Sequence, residues 1–190
     1  VFASSTGSNK EYMHLVIPVA GHEISEIGDV FFNDTNATDE RFDGFYRVNR
    51  HLGSPDQEAD SDLVSEVEVW TSEHRLRGVS YIYVRLKWDN DVWPTGLPNV
   101  NTVVKGKKVY DPRTDVTAFS NNPALCIRDF LLADYGLAAS SDEIDEDSFM
   151  AAANVCDEDV PIDDTTSQKR YTLDGTFDLD AKPIEVVENM

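Results

Sequence analysis

Residues 78–88 constrain this chain more than any other stretch. After Gly78 and Val79, Tyr81, Tyr83, Arg85 and Lys87 alternate with Ile82, Val84, Leu86 and Trp88. A period of two places the two sets on opposite faces of one extended strand, and the aromatic and β-branched content suits a pleated sheet. Such a strand needs partners, and the chain supplies them. Residues 11–19 are rich in β-formers, residues 24–32 follow the Gly21-His22 turn with Ile24, Ile27, Val30, Phe31 and Phe32, and a further strand covers residues 45–51. Turn-formers fill residues 33–43, residues 52–62 read as loop, and a short helix is expected over 61–68. Gly106-Lys107 between residues 101–105 and 108–110 predicts a hairpin.

The pattern changes near Thr114. Asn122-Pro123 is a cap followed by a proline at the first helical position, and the helix it opens runs to about Ala133, with Gly136 as its C-terminal cap. Phe149, Ala152, Ala153 and Cys156 recur at helical spacing over 145–156, and Asp174-Gly175 marks a hairpin. The expected fold class is α+β: a β-rich part with hairpins over 1–115 and a helical part with one hairpin over 116–190, packed as one unit. The chain opens on Val1 and stops in a helix begun at Pro183, so it reads as an internal segment of a longer protein.

Charge and composition exclude several functions. With 16 Lys+Arg against 36 Asp+Glu, a net charge of −20 lacks the basic footprint that nucleic acid or an anionic membrane demands. Apolar runs such as residues 15–20 fall far short of the roughly 20 residues of a membrane span. No secretory leader is visible at residues 1–9. Cys126 and Cys156 lie among apolar neighbours in predicted helices and read as small buried hydrophobes.

No pattern selects a catalytic set. Asp142, Glu143, Asp145, Glu146, Asp147, Asp157, Glu158, Asp159, Asp163 and Asp164 form an acidic run, but neither it nor Asp89-Asn90-Asp91 fits a calcium loop, so the run reads as a solvated face. His14, His22, His51 and His74 are scattered and offer no zinc spacing. Nucleophile elbow, phosphate loop and dinucleotide fingerprint are absent. The chain is therefore expected to be non-enzymatic, without cofactor or metal. Two alternatives of other classes stand beside that reading: a cell-wall hydrolase with an unselected carboxylate pair, and a carbohydrate-binding module using Trp70, Trp88 and Trp93. Alternation assigns Trp88 to the core.

An ordered set of segments resembles the tail tip attachment protein (protein J) and central tail hub family of lambda-like siphophages. It comprises residues 8–24 with 27–30 and 33–34, then 70–78 running into 81–86, then 104–114, 120–129, 135–137, 144–145, 151–158 and 169–171. The strongest piece is Val104-Lys105-Gly106-Lys107-Lys108-Val109-Tyr110-Asp111-Pro112-Arg113-Thr114, followed by residues 120–129, and it is the ordered set that is specific. The resemblance implies a structural part of a phage or prophage tail tip, made in the bacterial cytoplasm and carried at the distal tail of the virion. It further implies three copies around the tail axis, contacts with other tail tip and distal tail proteins, and a host receptor engaged by regions outside this segment. Lys105, Lys107, Lys108 and Arg113 form the one compact basic cluster of an acidic chain, and are expected to meet an acidic face of a neighbouring subunit.

Overall fold

A computed structural model of the chain describes residues 1–178 and 180–190. The architecture is α+β, with most strands in the N-terminal part and three of the four helices after residue 120. It comprises two compact units, Val1–Lys107 and Lys108–Met190.

The first unit is built around an antiparallel sheet of β1 (Phe2–Thr6), β2 (Tyr12–Ala20), β6 (Ser80–Lys87) and β5 (Tyr46–His51), in that spatial order. Register sorts the side chains. Leu15 opposes Val84 and Ile17 opposes Ile82, while Tyr46 opposes Leu86 and Val48 opposes Val84, so these share one face. On the reverse, His14 opposes Arg85, Val16 opposes Tyr83, and Arg47, Asn49 and His51 of β5 oppose Arg85, Tyr83 and Tyr81.

Both faces are covered. The apolar face packs against Ile27, Val30 and Phe32 of β3 (Glu26–Phe32), with Phe42 and Trp93 completing the cluster. β3 pairs with β4 (Thr35–Asn36) and β7 (Val100–Lys105) in a second sheet. Ile27 and Val30 are three residues apart yet both point inward. A bulge at Gly28-Asp29 shifts the register against β7 between them and resets the alternation. The reverse face meets Leu63 of α1 (Ser61–Glu66), Val67 and Trp70. Burial on both sides explains why β6 reads as β-former at nearly every position.

The loop between β5 and β6 is fastened by two residues. Gly53 has φ 83° and lies so close to the Ser80 nitrogen (2.8 Å from an ideal Cβ) and the His22 carbonyl (2.9 Å) that only glycine fits. Its N–H donates to Oε1 of buried Gln57, whose amide nitrogen donates in turn to the carbonyls of Arg75, Leu76 and Val79.

The second unit holds β8 (Lys108–Asp111) paired with β9 (Val116–Phe119), α2 (Pro123–Leu132), α3 (Glu146–Cys156), a small hairpin of β10 (Asp159–Pro161) and β11 (Ser167–Lys169), and α4 (Pro183–Asn189). Its core cluster is small: Val109, Ala124, Leu125, Ala153 and Cys156, with Phe149 against it. Asn122 caps α2 as expected, accepting from the Ala124 and Leu125 N–H groups. Its amide nitrogen also donates to the Ala153 carbonyl, so one buried side chain ties α2 to α3.

Several local expectations are corrected. Residues 101–110 do not form a hairpin: β7 pairs with β3 and β8 with β9, and the boundary between the units falls between Lys107 and Lys108. Asp174-Gly175 is not flanked by strands. α2 ends at Leu132 with Ala133 as its cap, and Gly136 is instead demanded by the Phe130 carbonyl, which would lie 1.8 Å from a Cβ. Trp88, assigned to the core by alternation, is 49% exposed, because β6 ends at Lys87 and the period of two no longer applies. Trp70 and Trp93 are the buried tryptophans. Trp93 stacks on Phe42, meets Phe32 edge-on and donates its indole N–H to the Lys87 carbonyl. Cys156 is buried, Cys126 half-buried, and both are free thiols; burial pushes the Cys126 thiol up to about 11, away from nucleophilic use. No helix is long and apolar enough to cross a membrane among the described residues.

Candidate functional site

The reverse face of the first sheet carries a polar network that strand spacing alone does not announce. Arg85 and Tyr83 project from β6, His14 from β2, Thr6 from β1, and Arg47, Asn49 and His51 from β5, while α1 and its cap bring Asp60, Asp62 and Glu66 to meet them. Asp60 opens α1 by accepting from the Leu63 N–H at 2.9 Å, and its other oxygen accepts from Asn49 at 2.9 Å and pairs with His51 Nε2 at 2.7 Å.

At the centre is a directed chain of hydrogen bonds. The Tyr83 hydroxyl donates to Glu66 Oε2 at 3.1 Å, so its oxygen accepts from His14 Nδ1–H at 2.8 Å and from Arg47 Nη2 at 3.2 Å. Nε2 of the neutral His14 ring then accepts from the Thr6 hydroxyl at 2.7 Å. Glu66 also receives Arg47 Nη2 at 2.8 Å and Arg85 Nη1 at 3.1 Å.

Electrostatics follow from this arrangement. Burial lowers the His14 pKa, and Arg85 and Arg47 add to that against the opposing pull of Glu66, so the ring is neutral. Burial would raise Glu66, but the hydrogen bonds and charges of Arg47 and Arg85 outweigh it and hold the carboxyl below its usual range. Burial would likewise raise Asp60, and His51, the Leu63 N–H and Asn49 together bring it down. Tyr81 and Tyr83 are raised by burial and stay protonated.

A Thr–His–Tyr–Glu relay has the polarity to draw a proton from a hydroxyl. His14 and Tyr83 are wholly buried, while Thr6 and Glu66, at the two ends of the relay, are half-buried. The relay ties three strands to α1, each member hydrogen-bonded to the next.

The basic residues expected at a subunit contact straddle the boundary between the two units. Lys105 and Lys107 belong to the first unit, Lys108 and Arg113 to the second. Lys105 Nζ lies 2.6 Å from Glu26 Oε2 across the β3–β7 pair. Arg113 bridges Asp111 and Asp157, each at 2.8 Å, and donates to Asn154 at 3.0 Å.

The acidic run is exposed but used. Glu143 and Ser140 form a capping box, Asp145 caps α3, and Glu146 pairs with Arg128. Asp163 accepts from the Thr165 and Thr166 N–H groups and the Thr165 hydroxyl, which hold it down to about 2. Among the described residues no group of three or more His, Cys, Asp or Glu is arranged to hold a metal ion.

Sequence reasoning missed the network because its partners are far apart in the chain, His14 and Tyr83 by 69 residues. The available signal was that the polar residues of β2, β5 and β6 share the face that also carries Tyr81 and Tyr83.

No family model matches the chain, and no curated protein matches it. Among solved structures the chain is similar to part of a chain from the "Virion of native gene transfer agent (GTA) particle", with 19% sequence identity and a TM-score of 0.42. The match covers 56% of this chain and 23% of that chain, so it spans less than a quarter of the neighbour's length.

Proposed function

We propose that this chain is a structural component of a phage or prophage virion: a hub segment of the tail tip, acting in tail assembly and host attachment as a scaffold and not as an enzyme. What supports the reading is the resemblance of the ordered set of segments to tail hub proteins. Those segments make up the framework of both units: β2 and the entry to β3, the Trp70 corner and β6, the passage from β7 to β8, α2 with its Asn122 cap, and α3. The reading rests on these segments and not on the partial likeness to the gene transfer agent chain.

In the full-length protein three copies would close around the tail axis and join other tail tip and distal tail proteins, with the receptor met by other regions. A closed three-fold ring uses unlike surfaces on each subunit, and charge complementarity would set its register. The passage Lys105–Lys108 is the proposed contact. Reversing Lys107 and Lys108 to Glu should hinder ring assembly of the full-length protein, and normal trimers at moderate salt would exclude that contact.

Quantitative mass spectrometry of gradient-purified particles tests the virion role. Peptides of this chain at about three copies per particle are expected for a three-fold hub; their absence from intact particles would overturn it. Zymography on peptidoglycan tests the non-enzymatic part, and a cleared zone dependent on this chain would favour the hydrolase.

A further inference from the structure

Between the inner face of β5 and the β3–β4 hairpin lies a cavity of about 240 Å³ lined by both polar and apolar groups. Val30 and Ala37, both buried, supply an apolar floor. Around it stand Asp29, Asn36, Tyr46 and Arg50. Asp29 is exposed and Tyr46 half-buried, and the Tyr46 ring is fixed edge-on against Phe32 at 5.3 Å. Oδ1 of Asn36 accepts from the Thr38 N–H at 2.9 Å and hydroxyl at 2.8 Å. This fixes the amide orientation and leaves its nitrogen as a spare donor. Arg50 is held by two bonds from Nε and Nη2 to the Gly28 carbonyl, at 3.3 and 3.1 Å, leaving Nη1 uncommitted.

The result is a rigid cup with an apolar base and a rim of both donors and acceptors. Arg50 is anchored by the bulge at Gly28, Asn36 by its own turn and Tyr46 by the core, so a ligand meets groups already in place. The volume falls below the roughly 300–1,000 Å³ of drug-sized sites and suits a single ring. A rim with one carboxylate and one guanidinium favours neither ligand charge, and the chain's net −20 repels anions at long range. A ring with an apolar face and hydroxyls that both donate and accept fits all of these features. We infer that this cavity binds one neutral pyranose unit of a saccharide, with Asp29 and Arg50 gripping adjacent hydroxyls.

Saturation-transfer-difference NMR on the full chain tests the site, with methyl glucoside, methyl galactoside, methyl mannoside and N-acetylglucosamine as probes. At least one should receive saturation, and its affinity should fall about tenfold or more in Asp29→Asn and in Tyr46→Phe, the loss expected for a hydrogen bond to a charged or buried polar partner. Two-dimensional amide spectra establish that each variant is folded, and a variant that is not is replaced by Asn36→Ala. No transfer to any probe at millimolar concentration would overturn the proposal, as would transfer unchanged in folded variants. Shifts at these residues with acetate or phosphate but with none of the sugars would also overturn it, in favour of an anion site.

Discussion

The two units differ in how they spend their charge. The first, with ten basic and seventeen acidic residues over 107 positions, has a net charge of −7; the second, with six basic and nineteen acidic over 83, has −13. The first unit holds a half-buried charged network between its sheet and α1 and packs eleven buried residues on one side of the sheet and six on the other. The second has five buried residues in its core cluster and keeps its acids at helix caps and in surface pairs. Burial on both faces of one sheet makes a unit that tolerates damage. A thin helical core under strong self-repulsion makes one with little reserve.

Core truncation is the strongest way to break this comparison. Ile82→Ala and Leu125→Ala each remove buried side-chain volume and should cost about 2–5 kcal/mol. With residue-resolved NMR during urea unfolding, Leu125→Ala should lose the native signals of the second unit without denaturant. Ile82→Ala should only lower the midpoint of the first, and equal responses would dissolve the distinction.

Tyr83→Phe comes next. It leaves the His14 Nδ1–H without its acceptor and Glu66 without one donor inside the network, a cost of about 1–3 kcal/mol measured by denaturant titration. Asn122→Ala removes the α2 cap and the bond to Ala153, and should destabilise the second unit by about 1 kcal/mol, toward 2 if the Ala153 carbonyl finds no water.

Acid gives a graded and one-sided effect. All four histidines lie in the first unit. The folded pKa of His14 is below its ordinary 6.5, so the unfolded state binds more protons below that value and stability falls as pH drops from 6.5. Glu66 and Asp60, also lowered, contribute stability above their ordinary 4.5 and 3.8 that is lost as pH falls through their folded values. The first unit should therefore weaken below pH 6.5, more shallowly in His14→Gln, with the urea midpoint at each pH as the readout. Smallest of all, Trp88→Ala should change the melting of the first unit by less than about 0.5 kcal/mol, since the ring is half exposed.

What the sequence made legible was whatever is written locally. Alternation located β6, β-former content located β2, β3 and β5, and the Asn122-Pro123 cap and the helical spacing of Phe149, Ala152, Ala153 and Cys156 located α2 and α3. The edge strand β1 carried no such mark and is held only by its pairing to β2. The expected hairpin around Gly106 failed because a turn signal cannot say which strands it joins: β7 found β3, some 75 residues earlier, and β8 found β9. The boundary between the units falls inside the basic stretch, between Lys107 and Lys108. The polar network and the β5 cavity were equally out of reach, since both assemble groups from strands that only the fold brings together.

The account stands or falls on where the chain sits in a particle. Immunogold electron microscopy, with antibody raised against this chain and particles released by inducing a strain that carries it, asks that directly. Gold at the distal tip of intact tails is the result the scaffold reading predicts. Intact tails without label, with the antigen free in the cytoplasm or medium, would contradict it.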